Sequence, residues 1–438
     1  VADTFLNTAT DTWYYMLYDN VILSNDEVYT VKTAVYRALL PLLDHKPVWG
    51  SLTGVKPAKP ARLAIREGMS RAGLDAWLRD HYHVSESRRR LCIRSAEYAM
   101  ETEDGLLPRE TQLYLGIPFC PAKCSYCSFV SNDMARWGHM IEPYTRALLQ
   151  EIEAAGALLR ENRIPLGSVY MGGGTPTTLN EDQLERVLSA VDCHFDRTVC
   201  REFTVEAGRP DTITREKLRA LKAAGVGRIS INPQTLSDRV LENIGRRHTT
   251  EDFLNAFALA REEGFDCINA DLIVGLPGDD LEGFQRSLDG VLALGAENIT
   301  VHALALKRAA RLVTEGGDLS LHARSEETAA MVAYSIRRLP QEGYEPYYLY
   351  RQTRMAGNLE NTGWAKPGTV CAYNVITMDE CSSVIACGAG AVSKLKDPYS
   401  DRLERIFDLK LPLDYIQRQE EMLARKEGVK DLYEQFRS

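Results

Sequence analysis

Three cysteines, Cys120, Cys124 and Cys127, fall within eight residues at a C-x3-C-x2-C spacing. Thiolates this close along a chain can wrap one compact metal centre. No fourth cysteine follows at ligand spacing, and the next histidine downstream is His139. A structural zinc site asks for four ligands, so zinc is the weaker expectation. The short spacings also make poor disulfide geometry, and a thioredoxin-type C-x-x-C sits in a different context. An iron–sulfur cluster normally takes four thiolates. Three on a short loop therefore predict a [4Fe–4S] cluster with one iron open. A small molecule can bind that iron and accept an electron from it.

The rest of the chain must position this loop. Short β-rich runs at 112–115, 168–171, 202–206, 228–231, 267–274 and 298–303 alternate with amphipathic helical stretches at 142–161, 181–191, 214–224, 250–263 and 281–294. Six βα units with right-handed crossovers imply an α/β fold, a partial (β/α)6 barrel. Functional residues in such folds gather past the C-terminal strand ends. The strand ends here are rich in them. The cysteine loop follows the first strand and Gly172-Gly173-Gly174-Thr175-Pro176-Thr177 the second. The third ends in Glu206, Gly208 and Arg209, and the fourth in Asn232-Pro233-Gln234. Asp271 and Gly275-Leu276-Pro277-Gly278 close the fifth, and His302 to Lys307 follow the sixth. Glycines let backbone approach a ligand closely and offer it their amides and carbonyls. An open iron beside a glycine loop and strand-end carboxylates suits a zwitterionic amino acid. S-adenosylmethionine meets that description and brings radical chemistry.

The chain has 438 residues, 45% hydrophobic and 26% charged, as expected of a globular enzyme. A net charge of −9 argues against bulk nucleic-acid binding. No run of 18 apolar residues predicts a membrane span. Ten cysteines at scattered spacings predict a reducing cytoplasm rather than a disulfide framework. The start, Val1-Ala2-Asp3, lacks methionine and suggests a trimmed or partial N-terminus. Three parts are expected: a mostly helical region at 1–110, the partial barrel at 111–310, and an α+β region at 311–438 that covers the substrate. Ser87-Arg88-Arg89-Arg90 reads as one exposed helix face.

The C-x3-C-x-aromatic-C trio, with Tyr126 as the aromatic, resembles the radical S-adenosylmethionine superfamily. The string Tyr114-Leu115-Gly116-Ile117-Pro118-Phe119-Cys120 resembles the oxygen-independent coproporphyrinogen III oxidase (dehydrogenase) family. So do Gly172 to Thr177, Asp271 to Pro277, and the stretch from Gly343 through Asn374 to Ser393. Gly116, Tyr348-Leu349-Tyr350-Arg351-Gln352 and Ala356 to Asn361 are most similar to its HemZ-type branch. The resemblance implies that Cys120, Cys124 and Cys127 ligate the cluster. It implies that Tyr114, Gly173 and Glu206 contact the S-adenosylmethionine on it. Contacts to a second S-adenosylmethionine would fall at Tyr126, Gly174, Thr175, Gln234, Arg246, Asp271 and Ala305, with Val392 at a looser position. The implied partners are a tetrapyrrole substrate and a reductant protein such as flavodoxin or ferredoxin, acting on a monomer.

Three departures bear on the substrate. The better-known oxidase has histidine where this chain has Gly116, a cysteine near Ser128-Phe129, and His-Asn where this chain has Tyr373-Asn374. The leading expectation is oxidative decarboxylation of two coproporphyrinogen III propionates to vinyls by a 5′-deoxyadenosyl radical, giving protoporphyrinogen IX. Arg209, Lys307, Arg308, Arg311 and Arg351 are candidate propionate receptors. A haem chaperone on the same fold is the alternative, with His248, His302 and His322 as axial-ligand candidates. A radical enzyme acting on another tetrapyrrole is a third.

Overall fold

The computed structural model describes residues 25–43, 46–127, 129, 131–305, 325–352, 355–398, 400 and 402–435. Ser128, Lys307, Arg308, Arg311 and His322 lie outside them.

The six expected strands form: β1 Thr111–Ile117, β2 Leu166–Gly173, β3 Glu202–Glu206, β4 Arg228–Ser230, β5 Cys267–Val274 and β6 Asn298–Ala303. Each is parallel to the next. The crossover helices are Ile141–Glu161, Glu181–His194, Arg215–Ala223, Thr250–Glu262 and Leu281–Ala293. Their starts are written in the sequence. Asn180 with Gln183 and Thr249 with Asp252 each form a reciprocal capping box. β1 is buried almost throughout, as befits a strand covered on both faces.

Five further strands join the same sheet: β7 Glu345–Tyr350, β8 Asn361–Ala365, β9 Ser383–Cys387, β10 Val392–Lys396 and β11 Leu403–Phe407. The order across the sheet is β11-β10-β9-β1-β2-β3-β4-β5-β6-β8-β7. β8 runs antiparallel to β6, with β7 antiparallel outside it. β9 runs parallel to β1 on the opposite side. The strand that leads into the cysteine loop is thus internal, held between β2 and β9, whose Ser383 pairs with Thr111 across 272 residues of sequence.

The Glu86–Asp104 helix packs on β7, where Arg94 and the Tyr98 hydroxyl both donate to Glu345 at 2.9 and 2.6 Å. The expectation of a single exposed arginine face on this helix is corrected. Arg88 is 5% exposed and pairs with buried Glu360 at 2.9 Å, and Trp49 Nε1 donates to the same carboxylate at 2.7 Å. Arg89 reaches Asp75 at 2.7 Å, and Arg90 alone is well exposed. Consecutive helical residues point about 100° apart, so three in a row cannot share one face.

At the other end, the Gln419–Gln435 helix packs on Ile141–Glu161 through a buried ionic cluster. Lys426 Nζ lies 2.9 Å from Glu151 and 3.1 Å from Asp408, and it also donates to the Ala386 carbonyl. The Tyr415 hydroxyl donates to Glu151. No helix among the described residues is long and apolar enough to cross a membrane.

Candidate active site

The loop after β1 is stitched to its neighbours by backbone bonds. The Gly174 amide donates to the Ile117 carbonyl at 2.7 Å and the Thr175 amide to Phe119 at 2.8 Å. A side chain at Gly174 would place its Cβ 2.5 Å from the Phe119 carbonyl oxygen, which is why glycine stands there. Gly173 has φ of +110°, a second reason for glycine in this run. On the other flank, the Ser125 amide donates to the Ile244 carbonyl at 3.0 Å. Arg209 is buried beneath the loop. It donates to the Ala122 carbonyl at 3.2 Å and lies 3.8 Å from the Cys124 sulfur, while Asp211 holds its other edge at 3.1 and 3.3 Å. Burial pushes the Cys120 thiol up to about 11 and also raises Cys127. Thiols in such a setting ionise when a metal supplies the opposing charge.

Alternate strand residues face the barrel interior. Register aligns Glu206 with Ser230, Ser230 with Asn269, Asp271 with Thr300 and Ile273 with His302. The result is a polar lining built of hydrogen bonds. Asn269 donates to Ser230 Oγ at 2.7 Å and to Asp271 at 2.8 Å, and Ser230 Oγ donates to Asn232 at 2.7 Å. Arg246 donates to the Gly208 and Asn232 carbonyls, both at 3.1 Å, and to the Tyr126 hydroxyl at 3.3 Å. Gln234 takes a left-handed φ of +69° and bridges to β5 through Asp271 and Ile273, both at 2.9 Å. Its buried Oε1 has no hydrogen-bond partner in the protein. Strain and an unmet acceptor at one residue are typical of ligand-binding positions.

The two carboxylates differ. Burial lifts Glu206 to about 7, although the Tyr170 hydroxyl donates to it at 2.6 Å. Burial also acts upward on Asp271, but hydrogen bonding with and the charge of His302, with Asn269 and Thr300, outweigh it and hold Asp271 below the ordinary range.

One cavity of about 360 Å³ joins these groups. Cys120, Cys124, Tyr126, Cys127, Gly173, Gly174, Thr175, Glu206, Gln234, Arg246, Asp271 and Ala305 all line it. Tyr114 lies just behind the lining, with its ring 6.4 Å from those of Tyr170 and Tyr373. Val392 does not reach the cavity: it opens β10, outside β9, and pairs with Phe407. Of the candidate receptors, Arg209 lines the cavity but is committed to the cysteine loop. Arg351 lies elsewhere, donating to the Leu52 and Asn358 carbonyls beside the Trp49 ring. His302 lines the cavity, whereas His248 is buried outside its lining. Sequence reasoning missed Tyr170, Ser230, Asn269, Thr300, Tyr348 and Tyr350 as lining residues. Their signal was the polar alternation within the fifth and sixth strands and the i, i+2 tyrosine pair in β7.

Among the described residues, no three His, Cys, Asp or Glu side chains converge on one point as a single metal ion requires. In a [4Fe–4S] cluster each thiolate binds a different iron, so the three sulfurs need not meet at one point. The trio beside an open cavity suits the cluster.

Residues 114–290 match the Radical SAM superfamily. The chain is 36% identical over 373 residues to the oxygen-independent coproporphyrinogen-III oxidase-like protein HemZ of Bacillus subtilis, spanning 84% of this chain and 74% of that one. It is 33% identical over 281 residues to the heme chaperone HemW of the same organism, spanning 64% of this chain and 69% of that one. Among solved structures, coproporphyrinogen III oxidase HemN of Escherichia coli has the same fold, with a TM-score of 0.59 at 23% identity over 74% of this chain and 72% of that one. Radical SAM proteins use a [4Fe–4S] cluster and S-adenosylmethionine. The chain belongs to the radical SAM superfamily, among the oxygen-independent coproporphyrinogen-III oxidase-like proteins.

Proposed function

We propose that this chain oxidatively decarboxylates propionates of coproporphyrinogen III to vinyls without oxygen, giving protoporphyrinogen IX. One observation carries the reading: a single cavity gathers the three cysteines, the glycine loop, Glu206 and Asp271. Cys120, Cys124 and Cys127 hold the cluster. Gly173 and Glu206 receive the S-adenosylmethionine ammonium, with Tyr114 behind them. Tyr126, Gly174, Thr175, Gln234, Arg246, Asp271 and Ala305 are the contacts for a second S-adenosylmethionine. Bound there, cluster and S-adenosylmethionine supply a 5′-deoxyadenosyl radical.

The protein's own residues orient and shield. Arg209 fixes the cysteine loop through Ala122 and Cys124. Arg246 ties the ends of β3 and β4 to Tyr126. In the proposed reaction each propionate loses one hydrogen atom from the carbon β to its carboxylate. CO2 then departs and an external acceptor takes the remaining electron, leaving a vinyl. Flavodoxin or ferredoxin supplies the cluster electron to a monomeric enzyme. Residues 111–310 carry the radical chemistry and residues 311–438 cover the substrate.

The test mixes anaerobically reconstituted protein with S-adenosylmethionine, a reductant and coproporphyrinogen III. Vinyl product together with 5′-deoxyadenosine is expected. Cleavage of S-adenosylmethionine without vinyl product overturns the reading. Tight stoichiometric haem binding without vinyl product would favour a haem chaperone, a second reading supported by the likeness to HemW.

A further inference from the structure

The cavity has two walls of different chemistry. The ends of β1, β2 and β3 present the cysteines, Gly173, Gly174 and Glu206. The wall from β5 to β7 presents Asp271, His302, Tyr348 and Tyr350. With the cluster and its ligand on the first wall, a second molecule faces the other.

That wall holds a problem for an anionic substrate. A propionate approaching it meets the Asp271 carboxylate, and like charges in a poorly solvated cavity repel strongly. Among the described residues lining the cavity, the basic side chains are Arg209, Arg246 and His302. Both arginines are spent on the loops around the cysteines and the ends of β3 and β4. His302 is differently placed. Its Nε2 lies 3.8 Å from Asp271 Oδ2, its Nδ1 lies 3.4 Å from the Tyr350 hydroxyl, and its side chain is 26% exposed.

An imidazolium donates from both nitrogens. With Nε2–H turned to Asp271, Nδ1–H donates to the Tyr350 oxygen, and the Tyr350 O–H is left to donate outward. Tyr350 shares the wall with Tyr348, the two rings stacked 6.4 Å apart, which gives the donor an aromatic shelf. A carboxylate attached to a flat or bowl-shaped apolar body matches that surface: the shelf takes the body and the hydroxyl takes the charge.

We propose that His302 and Tyr350 are the receptor for one propionate of the tetrapyrrole, an assignment that rests on the coproporphyrinogen reading above. His302 neutralises Asp271 and polarises Tyr350, and the Tyr350 hydroxyl donates to the carboxylate. His302 is the positioning residue of the pair and Tyr350 the contact. This gives the wall a selective role, because an esterified side chain offers the hydroxyl no charged acceptor.

The test is a binding titration, separate from turnover. Cluster-reconstituted protein is titrated with coproporphyrin III, the oxidised and unreactive relative of the substrate, and with its tetramethyl ester. Absorbance of the porphyrin reports binding, and absorbance of the cluster reports folding. Wild type is expected to bind the free acid and to bind the ester at least about tenfold more weakly, the worth of one charge-assisted hydrogen bond. Tyr350→Phe and His302→Gln are each expected to weaken the free acid by about tenfold or more and to leave the ester unchanged. If His302→Gln loses the cluster, Tyr350→Phe decides. Wild type that binds the free acid while Tyr350→Phe binds it within about twofold overturns this inference alone. Equal affinity of wild type for acid and ester does the same. Wild type that binds no coproporphyrin at all overturns the proposed function and the receptor together.

Discussion

Glu206 shows how one side chain reports on the whole cavity. Its carboxyl ordinarily titrates at 4.5, and burial lifts it to about 7. Between those values the folded, ligand-free chain keeps a proton that the unfolded chain has released. Its contribution to stability is therefore full below 4.5 and lost as pH rises through about 7. Denaturant midpoints of wild type should fall relative to Glu206→Gln over that window, and parallel curves would remove the assignment. A ligand ammonium beside Glu206 favours the carboxylate and reverses the shift. S-adenosylmethionine should accordingly release protons on binding near pH 6, seen by calorimetry in buffers of different ionisation enthalpy. Cys124→Ala should abolish the visible absorbance of the cluster, and full absorbance in that variant would exclude Cys124 as a ligand. The cysteine spacing was legible because three thiols on one loop are a local pattern. The left-handed backbone of Gln234 was not, since it follows from pairing with β5 in three dimensions.

Among elements, the helix Gln419–Gln435 carries the clearest energetic prediction. Lys426, Glu151 and Asp408 are all deeply buried, and burial raises the Asp408 carboxyl well above the ordinary range. Lys426→Met removes the cation and leaves two buried acids facing each other. Breaking a buried ionic group this way costs about 3–5 kcal/mol. Urea midpoints should move accordingly, and adding Asp408→Asn should restore part of the loss, because Glu151 keeps the Gly388 amide and the Tyr415 hydroxyl as partners. A midpoint unchanged by Lys426→Met would mean that water reaches the cluster. None of this was legible beforehand. Glu151 reads as one more charge on an amphipathic helix, and its partner Tyr415 is 264 residues away. The six βα units were legible because period-2 and period-3.6 patterning is local. Their ends shifted by a few residues at most, where capping and fraying decide the boundary. Asp271 and His302 were legible as polar residues near strand ends, but their companions Asn269 and Thr300 were not, and all four line the cavity from within β5 and β6 themselves.

Across the whole molecule, the single eleven-stranded sheet makes the outer regions part of the barrel's support. Glu360, just before β8, is gripped by Arg88 of the Glu86–Asp104 helix and by Trp49 of an N-terminal turn. The Gly388 amide, just past β9, donates to Glu151 at 2.7 Å, and Tyr144 bonds both the Gly116 carbonyl and the Ala389 amide at 2.5 and 3.0 Å. A chain ended before Ser383 loses β9 and exposes the edge of β1 along the register from Thr111 to Leu115. Such a truncation should aggregate and fail to take up iron, measured by soluble yield and cluster absorbance. Retention of both would show that β2 alone holds β1 and the cysteine loop after it. The helical start and mixed C-terminal region expected from the sequence say nothing of this role, because a long-range parallel pairing leaves no local mark on either strand.

The position of β9 also sets an order of events during protein synthesis. Cys120, Cys124 and Cys127 are made long before β9, whose Ser383 lies 272 residues beyond its partner Thr111. A nascent chain therefore carries three reduced thiols beside an unpaired edge of β1 until β9 has emerged. Iron insertion belongs after β9 has docked, and any stall between Cys127 and Ser383 strands an aggregation-prone fragment.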